Sequence, residues 1–133
     1  MTQNNTTNKA KVRKFHYKSG SLKWEAPYKN GARHGIKKDY RESGDLIREI
    51  LYVYGKKHGE EKGYYPSGAL KRESPYVDNR IHGTEKWYYE SGSLKREIPY
   101  EAGKKHGVVK IYDESGAITR RTLYEDGKNK GEI

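Results

Sequence analysis

A period of 24 residues runs through this chain and limits what it can fold into. A Ser-Gly pair recurs every 24 residues, at Ser19-Gly20, Ser43-Gly44, Ser67-Gly68, Ser91-Gly92 and Ser115-Gly116. A His-Gly pair recurs with the same spacing, beginning at His34, His58, His82 and His106. Because the period persists without any insertion, it predicts a tandem-repeat architecture in which each unit packs on its neighbours.

Five units cover most of the 133 residues. They are residues 12–35, 36–59, 60–83, 84–107 and 108–131, and we predict that they form a single domain, 12–133. We predict that the polar and basic segment 1–11 is a disordered tail. This tail lacks the apolar centre of a signal peptide, and the chain has no Cys, so we expect a cytoplasmic protein.

Each unit has the pattern of two strands separated by glycine-containing turns. In the fourth unit TEKWYYE precedes the Ser-Gly turn, and LKREIPY follows it. The alternation of a strand places Leu94, Ile98 and Tyr100 on one face and Lys95 and Glu97 on the other. We therefore predict an all-β fold of five β-hairpins, with about ten strands in an elongated, twisted antiparallel sheet.

The segment 55–76, GKKHGEEKGYYPSGALKRESPY, resembles the MORN repeat variant. The unit of that family reads roughly Gly-Lys-x-His-Gly, then Tyr-Tyr-x-x-Gly-x-Leu, then Glu-x-x-Tyr, and the resemblance extends over all five units. It implies a MORN-like rod of β-hairpins. The same variant builds the bacterial YwqK-like antitoxin proteins, so the resemblance also implies a toxin–antitoxin or immunity role. It does not imply which partner is bound, because one repeat scaffold carries many different ligands.

The net charge of +10 is concentrated at the N-terminal end of the chain. Residues 12–35 contain six Lys and Arg against a single acidic residue, Glu25. Repeat architecture does not require this excess, which could attract an acidic protein, an anionic membrane surface or a nucleic acid. The basic residues that we single out as candidates are Arg13, Lys14, Lys18, Lys23, Arg33, Lys37 and Lys38.

Residues that break the repeat are stronger functional candidates than residues that obey it, because stacking of the units explains the latter. Trp24 stands where other units carry Arg, and Trp87 stands where others carry Asp, Gly or Ile. We expect Tyr65 and Tyr89 to share a strand face with Trp87 and to form an aromatic patch with it. Since Trp and Tyr are favoured interface anchors, we predict that these four residues bind a partner. The alternative is that they fill irregular ends of the sheet.

The recurring polar residues have simpler interpretations. Equivalent histidines lie two strands, or about 10 Å, apart and cannot share a metal ion, so we expect them to pack or hydrogen-bond within their turns. We expect the recurring glutamates to form solvated cross-strand ion pairs. The recurring arginines would cover tyrosine rings, or else these basic and aromatic rows would bind single-stranded nucleic acid. Because no catalytic constellation occurs, we predict no enzymatic activity, no metal and no cofactor.

Three functional hypotheses follow. The leading one is a non-catalytic binding protein that engages a partner protein, such as a toxin or another effector, as an antitoxin or immunity-type inhibitor. The alternative is electrostatic binding of nucleic acid or anionic lipid through the basic N-terminal end. The third is a structural spacer that assembles with other chains through its exposed end strands.

Overall fold

The computed structural model describes residues 10–133, which form one open antiparallel sheet of 14 strands. Within these residues there is no helix long and apolar enough to cross a membrane. The strands are β1 (Ala10–His16), β2 (Leu22–Lys29), β3 (Ala32–Arg33), β4 (Gly35–Tyr40), β5 (Leu46–Val53), β6 (Lys56–Tyr64), β7 (Leu70–Val77), β8 (Arg80–Ile81), β9 (Gly83–Tyr88), β10 (Leu94–Glu101), β11 (Lys104–Lys105), β12 (Gly107–Tyr112), β13 (Ile118–Glu125) and β14 (Lys128–Glu132).

Eleven of these strands lie side by side in chain order, β1-β2-β4-β5-β6-β7-β9-β10-β12-β13-β14. Each of the short strands β3, β8 and β11 is followed by one histidine and then by a longer strand. The short strand and the longer strand pair with the same neighbour. The ten inter-strand spacings of about 4.8 Å give a sheet roughly 48 Å long. The predicted all-β meander of 24-residue hairpins is therefore confirmed.

The predicted disordered tail, residues 1–11, overlaps the first strand. Ala10 and Lys11 pair with Lys29 and Tyr28 of β2. They therefore belong to the sheet and not to the tail. The rest of that predicted tail lies outside the described residues.

Two kinds of turn alternate along the chain, one kind at each end of the strands. Between β2 and β3, Asn30 and Gly31 both have positive φ, 53° and 81°, which is the geometry of a two-residue type I′ hairpin turn. The other turns are the Ser-Gly turns. In the second of these, the Gly44 N–H donates to the carbonyl of Arg41, whose own N–H donates to Asp45. Both turn types are local, so the hairpin period follows from the sequence.

The glycine of each His-Gly pair allows a close approach between neighbouring strands. Gly35 has φ +120°, and a Cβ placed there would lie 2.7 Å from Cγ of Pro27. Gly107 has φ +119°, and its Cβ would lie 3.0 Å from Cγ of Pro99. A side chain at either position would be strained by the backbone and would overlap the proline ring.

The sheet has two faces with different chemistry. On one face, basic and acidic residues alternate across nine strands, and the tenth strand breaks the alternation by placing Arg121 opposite Lys110. The order is Lys14, Glu25, Lys38, Glu49, Lys62, Glu73, Lys86, Glu97, Lys110 and Arg121. We call the face that carries this column the ladder face. The opposite face carries Trp24 and Trp87, and we call it the tryptophan face. The predicted two-residue alternation is confirmed, but the tryptophan face is not purely apolar, because Asp39, Glu61 and Glu85 also lie on it.

The buried residues of the described chain lie on the tryptophan face. They are Ala26, Asp39, Ile50, Tyr52, Glu61, Gly63, Ser74, Glu85, Ile98, Val109 and Thr122. Residues 10–133 form a single layer, so these side chains are covered by neighbours on their own face. The tryptophan face therefore holds the core of the molecule.

Candidate binding surface on the tryptophan face

The first cluster on the tryptophan face surrounds Trp24 of β2, and we call it the Trp24 cluster. The ring of Phe15 in β1 packs at a tilt against Trp24, with 5.3 Å between the centroids. The Arg33 guanidinium and the Lys37 ammonium lie 5.8 Å and 5.2 Å from the Trp24 ring centroid, within the range of cation–π attraction. Because Phe15 is 59% exposed, the cluster presents aromatic surface next to two cations.

Both cations of the Trp24 cluster are held in place by polar partners. Arg33 donates from Nε to the Tyr28 hydroxyl at 3.2 Å and from Nη1 to the Tyr52 hydroxyl at 3.3 Å. The Tyr28 hydrogen bond raises the pKa of Arg33 although burial opposes this change. Lys37 lies 3.0 Å from the Asp39 carboxylate. Side chains that are already ordered lose less entropy on binding, so this cluster is suited to recognition.

The second cluster surrounds Trp87 of β9. Its ring lies between the guanidinium groups of Arg72 and Arg96, which are 5.5 Å and 4.9 Å from the ring centroid. The indole N–H donates to Oε1 of Glu85 at 2.8 Å, and the Ser74 hydroxyl donates to Oε2 of the same residue at 2.7 Å. Trp87 is therefore fixed by stacking on both sides and by a hydrogen bond at its edge.

A buried carboxylate lies next to the Trp87 cluster. Glu61 is 4% exposed and accepts hydrogen bonds from Lys57 at 2.9 Å and from Arg72 at 2.8 Å. Burial alone would raise the pKa of Glu61, but the hydrogen bonds and charges of Lys57 and Arg72 outweigh it and lower the pKa. Glu61 therefore stays ionised at neutral pH and binds two cations on the tryptophan face.

Strand alternation divides the basic candidates between the two faces. Lys14 and Lys38 both oppose Glu25 on the ladder face. Arg13 packs over the Tyr28 ring on the tryptophan face, with 4.4 Å to its centroid. Arg13, Arg33 and Lys37 thus lie on the tryptophan face, Lys14, Lys23 and Lys38 lie on the ladder face, and Lys18 lies in the turn after β1. The structure brings together only some of the predicted basic surface.

The predicted aromatic patch of Trp87 with Tyr65 and Tyr89 is wrong. β9 ends at Tyr88, so Tyr89 belongs to the following turn, where the strand alternation no longer applies. The hydroxyls of Tyr65 and Tyr89 donate to the carbonyls of Tyr88 and Tyr112 at 2.6 Å and 2.8 Å. Each of these two tyrosines therefore links its own unit to the next one and does not extend the surface around Trp87.

Tyrosine hydroxyls, and not lysines, bind the ladder carboxylates. Tyr64 donates to Glu49 and Tyr88 donates to Glu73, both at 2.6 Å. The same bond links Tyr40 to Glu25 and Tyr112 to Glu97. The ion pairs of 4.0 Å or less within residues 10–133 do not include these four glutamates. The predicted cross-strand ion pairing is therefore corrected to a repeated tyrosine–glutamate hydrogen bond beside a column of opposing charges.

This repeated hydrogen bond changes the acidity of the tyrosines. Burial, followed by the hydrogen bond to Glu49, raises the pKa of Tyr64 to about 12. Burial and the hydrogen bond to Glu73 raise the pKa of Tyr88 to about 12 as well. A tyrosinate beside a carboxylate would place two negative charges together, so the folded protein favours the neutral phenol.

The histidines of the His-Gly pairs bind the turn of the next unit. Nδ1 of His34 accepts from the Tyr54 N–H at 3.1 Å, and Nδ1 of His82 accepts from the Ala102 N–H at 3.2 Å. His106 makes the equivalent contact with Asp126. The prediction of hydrogen bonds within the histidines' own turns is therefore wrong for these three, because each accepts its bond from a residue 20 positions further along the chain. No group of three or more His, Cys, Asp or Glu side chains that could hold a metal ion occurs in residues 10–133.

Sequence reasoning missed part of the candidate surface. Phe15 was not singled out, although it stands at the repeat position of Trp87 and also breaks the repeat. Glu61 and Arg96 were not singled out either, because Arg72 reaches Glu61 from another strand and Arg96 reaches Trp87 from another strand. One signal was available: at a single repeat position the residue changes from Lys37 to Glu61, Glu85 and Val109, although stacking alone requires no such change.

The geometry defines a protein of tandem β-hairpin repeats. The MORN repeat variant family matches the chain over residues 33–54, 57–78, 81–102 and 105–126. These four segments cover more than half of the chain, which therefore belongs to this family. The first predicted unit, 12–35, precedes nearly all of the matched residues, although β1 and β2 give it the same strand pairing as later units. No curated protein matches the chain.

Proposed function

We propose that this protein is a non-catalytic binding protein that engages a partner protein through its tryptophan face. The observation that supports the proposal is that the side chains of this face differ from one unit to the next. At one repeat position in the row that contains Trp87, the chain carries Asp39, Gly63, Trp87 and Ile111 in successive units. A surface that only stacks units needs no such variation, whereas recognition of one partner requires a specific arrangement of side chains.

The Trp24 cluster is the proposed anchor of this interface. It combines an exposed aromatic ring, Phe15, with Trp24 and with two positioned cations, Arg33 and Lys37. Aromatic residues and arginine are enriched among the residues that dominate binding energy. The ladder face offers a repeated column of opposing charges, and such solvated charges contribute little to affinity.

A matched pair of substitutions in β1 tests which face binds. Phe15 and Val12 are both 59% exposed, but Phe15 lies on the tryptophan face and Val12 on the ladder face. The full chain and its Phe15→Ala and Val12→Ala variants are used to recover partners from the native host. We expect a stoichiometric protein partner, with recovery lowered about tenfold or more by Phe15→Ala and unchanged by Val12→Ala. Recovery of no such protein, or equal losses for the two variants, would contradict the proposal.

The finer form of the proposal is an antitoxin or immunity-type inhibitor. It is supported by the resemblance of the repeat unit to that of the YwqK-like antitoxin proteins. Expression of the recovered partner alone should arrest growth of a host cell, and co-expression of the wild-type chain should relieve the arrest. The Phe15→Ala variant should relieve it less than the Val12→Ala variant does. A partner that is harmless when expressed alone would exclude this form while leaving partner binding intact.

A second candidate function is electrostatic binding of nucleic acid or anionic lipid through the N-terminal end. It is favoured by the cations that lie over aromatic rings there, namely Arg33 and Lys37 on Trp24 and Arg13 on Tyr28. Contacts of this kind track phosphates and stack bases. Binding to RNA, DNA or anionic vesicles should weaken strongly as salt rises from about 50 to 200 mM. Binding that is independent of salt, or absent at low salt, would contradict this candidate.

A further inference from the structure

Glu61 in the third unit provides an internal reference for a bound carboxylate. Lys57 and Arg72 both donate to it, at 2.9 Å and 2.8 Å. The Lys57 ammonium also lies 4.8 Å from the centroid of the Tyr76 ring. This arrangement shows how the scaffold holds one carboxylate, with a lysine, an arginine and a tyrosine ring around it.

The same arrangement recurs two units later, without the carboxylate. A shift of 48 residues takes Lys57, Arg72 and Tyr76 to Lys105, Arg120 and Tyr124, and Glu61 to Val109. The Lys105 ammonium lies 4.9 Å from the Tyr124 ring centroid, nearly the distance seen for its counterpart. Within residues 10–133, however, Lys105 has no acidic partner within 4.0 Å, and Arg120 pairs at the surface with Glu132 at 3.1 Å.

Arg96 adds a third cation to this region. The carboxylate nearest to it by repeat position, Glu85, already accepts from Trp87 and Ser74. Arg96 packs over Trp87 and forms no ion pair of 4.0 Å or less with the described residues. Its Nε atom is buried and has no hydrogen-bond partner there. A buried donor without an acceptor costs free energy, so an acceptor supplied from outside would be favoured at this place.

A cavity of about 370 Å³ opens between these groups on the tryptophan face. Its walls include the cations Arg96, Lys105 and Arg120, the apolar side chains Ile98, Val109 and Ile111, and one carboxylate, Glu132. The excess of positive charge matches an anionic group, and the apolar walls match the methylene stem that carries such a group. Charge-assisted hydrogen bonds from Arg and Lys to carboxylate are among the strongest that proteins form.

We propose that this cavity binds an acidic side chain, Asp or Glu, of the partner protein. The partner's carboxylate takes the place that Glu61 occupies in the third unit. Arg96, Lys105 and Arg120 are the donors, and Glu132 releases Arg120 toward the incoming group. This inference rests on the proposed function, because the carboxylate belongs to the partner.

The test is an NMR titration of the full chain with blocked amino acids. N-acetylglutamate N-methylamide, which carries one side-chain carboxylate, should cause saturable shifts at the amides around Val109, Lys105 and Arg120. N-acetylglutamine N-methylamide should cause none. N-acetylalanine, which presents a chain-terminal carboxylate, and inorganic phosphate should bind more weakly. Tighter binding of either of these two, or no saturable shift with the glutamate derivative, would overturn the proposal.

The second arm of the test is a substitution that supplies a carboxylate at the position equivalent to Glu61. Val109→Glu supplies inside the chain what Glu61 supplies two units earlier, so it should abolish the saturable shifts. Val108→Glu makes the same change at the adjacent residue, which lies on the ladder face, and it should retain binding within about threefold because it leaves the cavity empty. Equal binding by both variants would overturn the proposal. An unchanged pattern of the remaining amide signals reports that each variant is folded.

These measurements separate the cavity from the proposed function. The blocked glutamate reports on the cavity even when no partner protein is recovered from the host. If a partner is recovered and the cavity does not bind the glutamate derivative, this inference fails while partner binding stands. If the cavity binds and no partner is recovered, the proposed function fails.

Discussion

On the ladder face, Tyr64 donates to Glu49 and Tyr88 donates to Glu73 at the same distance of 2.6 Å. On the tryptophan face, the same two units place Gly63 and Trp87 at one equivalent position. The first face repeats a contact, and the second changes it from unit to unit. This difference indicates that stacking of the units determines the residues of the ladder face, while the residues of the tryptophan face can differ from unit to unit.

The largest expected effect tests the close approach between β4 and β2 at Gly35. Gly35→Ala would place a methyl group 2.7 Å from Cγ of Pro27 and force a positive φ on alanine. We expect the free energy of unfolding, measured with urea, to fall by about 3 kcal/mol or more. Gly20→Ala is the control, because Gly20 has φ +97° and no atom within 4 Å of the added Cβ. It should lose only about 1 kcal/mol. Equal losses would mean that the close approach to Pro27 contributes nothing.

The next effect compares adjacent residues on opposite faces of β9. Trp87→Ala removes a ring held between Arg72 and Arg96 and leaves Glu85 without its indole donor, so the free energy of unfolding should fall by about 2–3 kcal/mol. Lys86→Ala removes one member of the solvated charge column and should cost less than about 0.5 kcal/mol. Urea unfolding of both variants measures the difference. A larger loss for Lys86→Ala would reverse the comparison of the two faces.

A smaller effect tests whether the ladder face is uniform. Tyr64→Phe and Tyr88→Phe each remove one hydroxyl that donates to a glutamate. Each should lower the free energy of unfolding by about 1 kcal/mol. The two losses should agree within about 0.5 kcal/mol, because their surroundings are equivalent. Losses that differ by more than about 1 kcal/mol would show that equivalent positions on this face are not equivalent in energy.

The smallest expected effect is a displaced titration at alkaline pH. The pKa of Tyr64 and of Tyr88 is raised to about 12 in the folded protein, whereas an ordinary tyrosine has a pKa of about 10. Because the folded pKa is the higher one, the stability that these tyrosines contribute is fully present below pH 10. It is lost as pH rises toward 12. The tyrosinate absorbance of the wild type should show late-titrating groups that the double variant Tyr64→Phe, Tyr88→Phe lacks. Titration of all tyrosines near pH 10 in the folded state would contradict the burial of these hydroxyls.

Much of the fold could be predicted because the turns and the alternation are local. The Ser-Gly and Asn30-Gly31 turns set the strand lengths, and the two-residue alternation placed Ile98 and Glu97 on opposite faces. The same alternation could have divided the basic candidates, since Arg13 and Lys14 are adjacent in β1 and must point to opposite faces. The positive charge of residues 12–35 can be counted in the sequence, but its division between the two faces of the sheet was not predicted.

The candidate site was harder to predict, because it depends on contacts across strands. Arg33 and Lys37 reach Trp24 from different strands, and no local pattern in the sequence indicates that these side chains come together. Tyr89 was assigned to a strand that in fact ends one residue earlier, so its ring joins the next unit and not Trp87. Strand ends depend on where the hydrogen-bonded pairing stops, which the period of the sequence does not specify.

The sequence by itself determined that this protein is an antiparallel array of 24-residue hairpins. Glycine at positive φ and alternating side chains act over a few residues, and the repeat copies them along the chain. Only the tertiary structure decided which charged side chains of the tryptophan face are paired and which lack a partner. The pairing of Arg72 with Glu61, or the isolation of Arg96, depends on side chains brought together from separate strands.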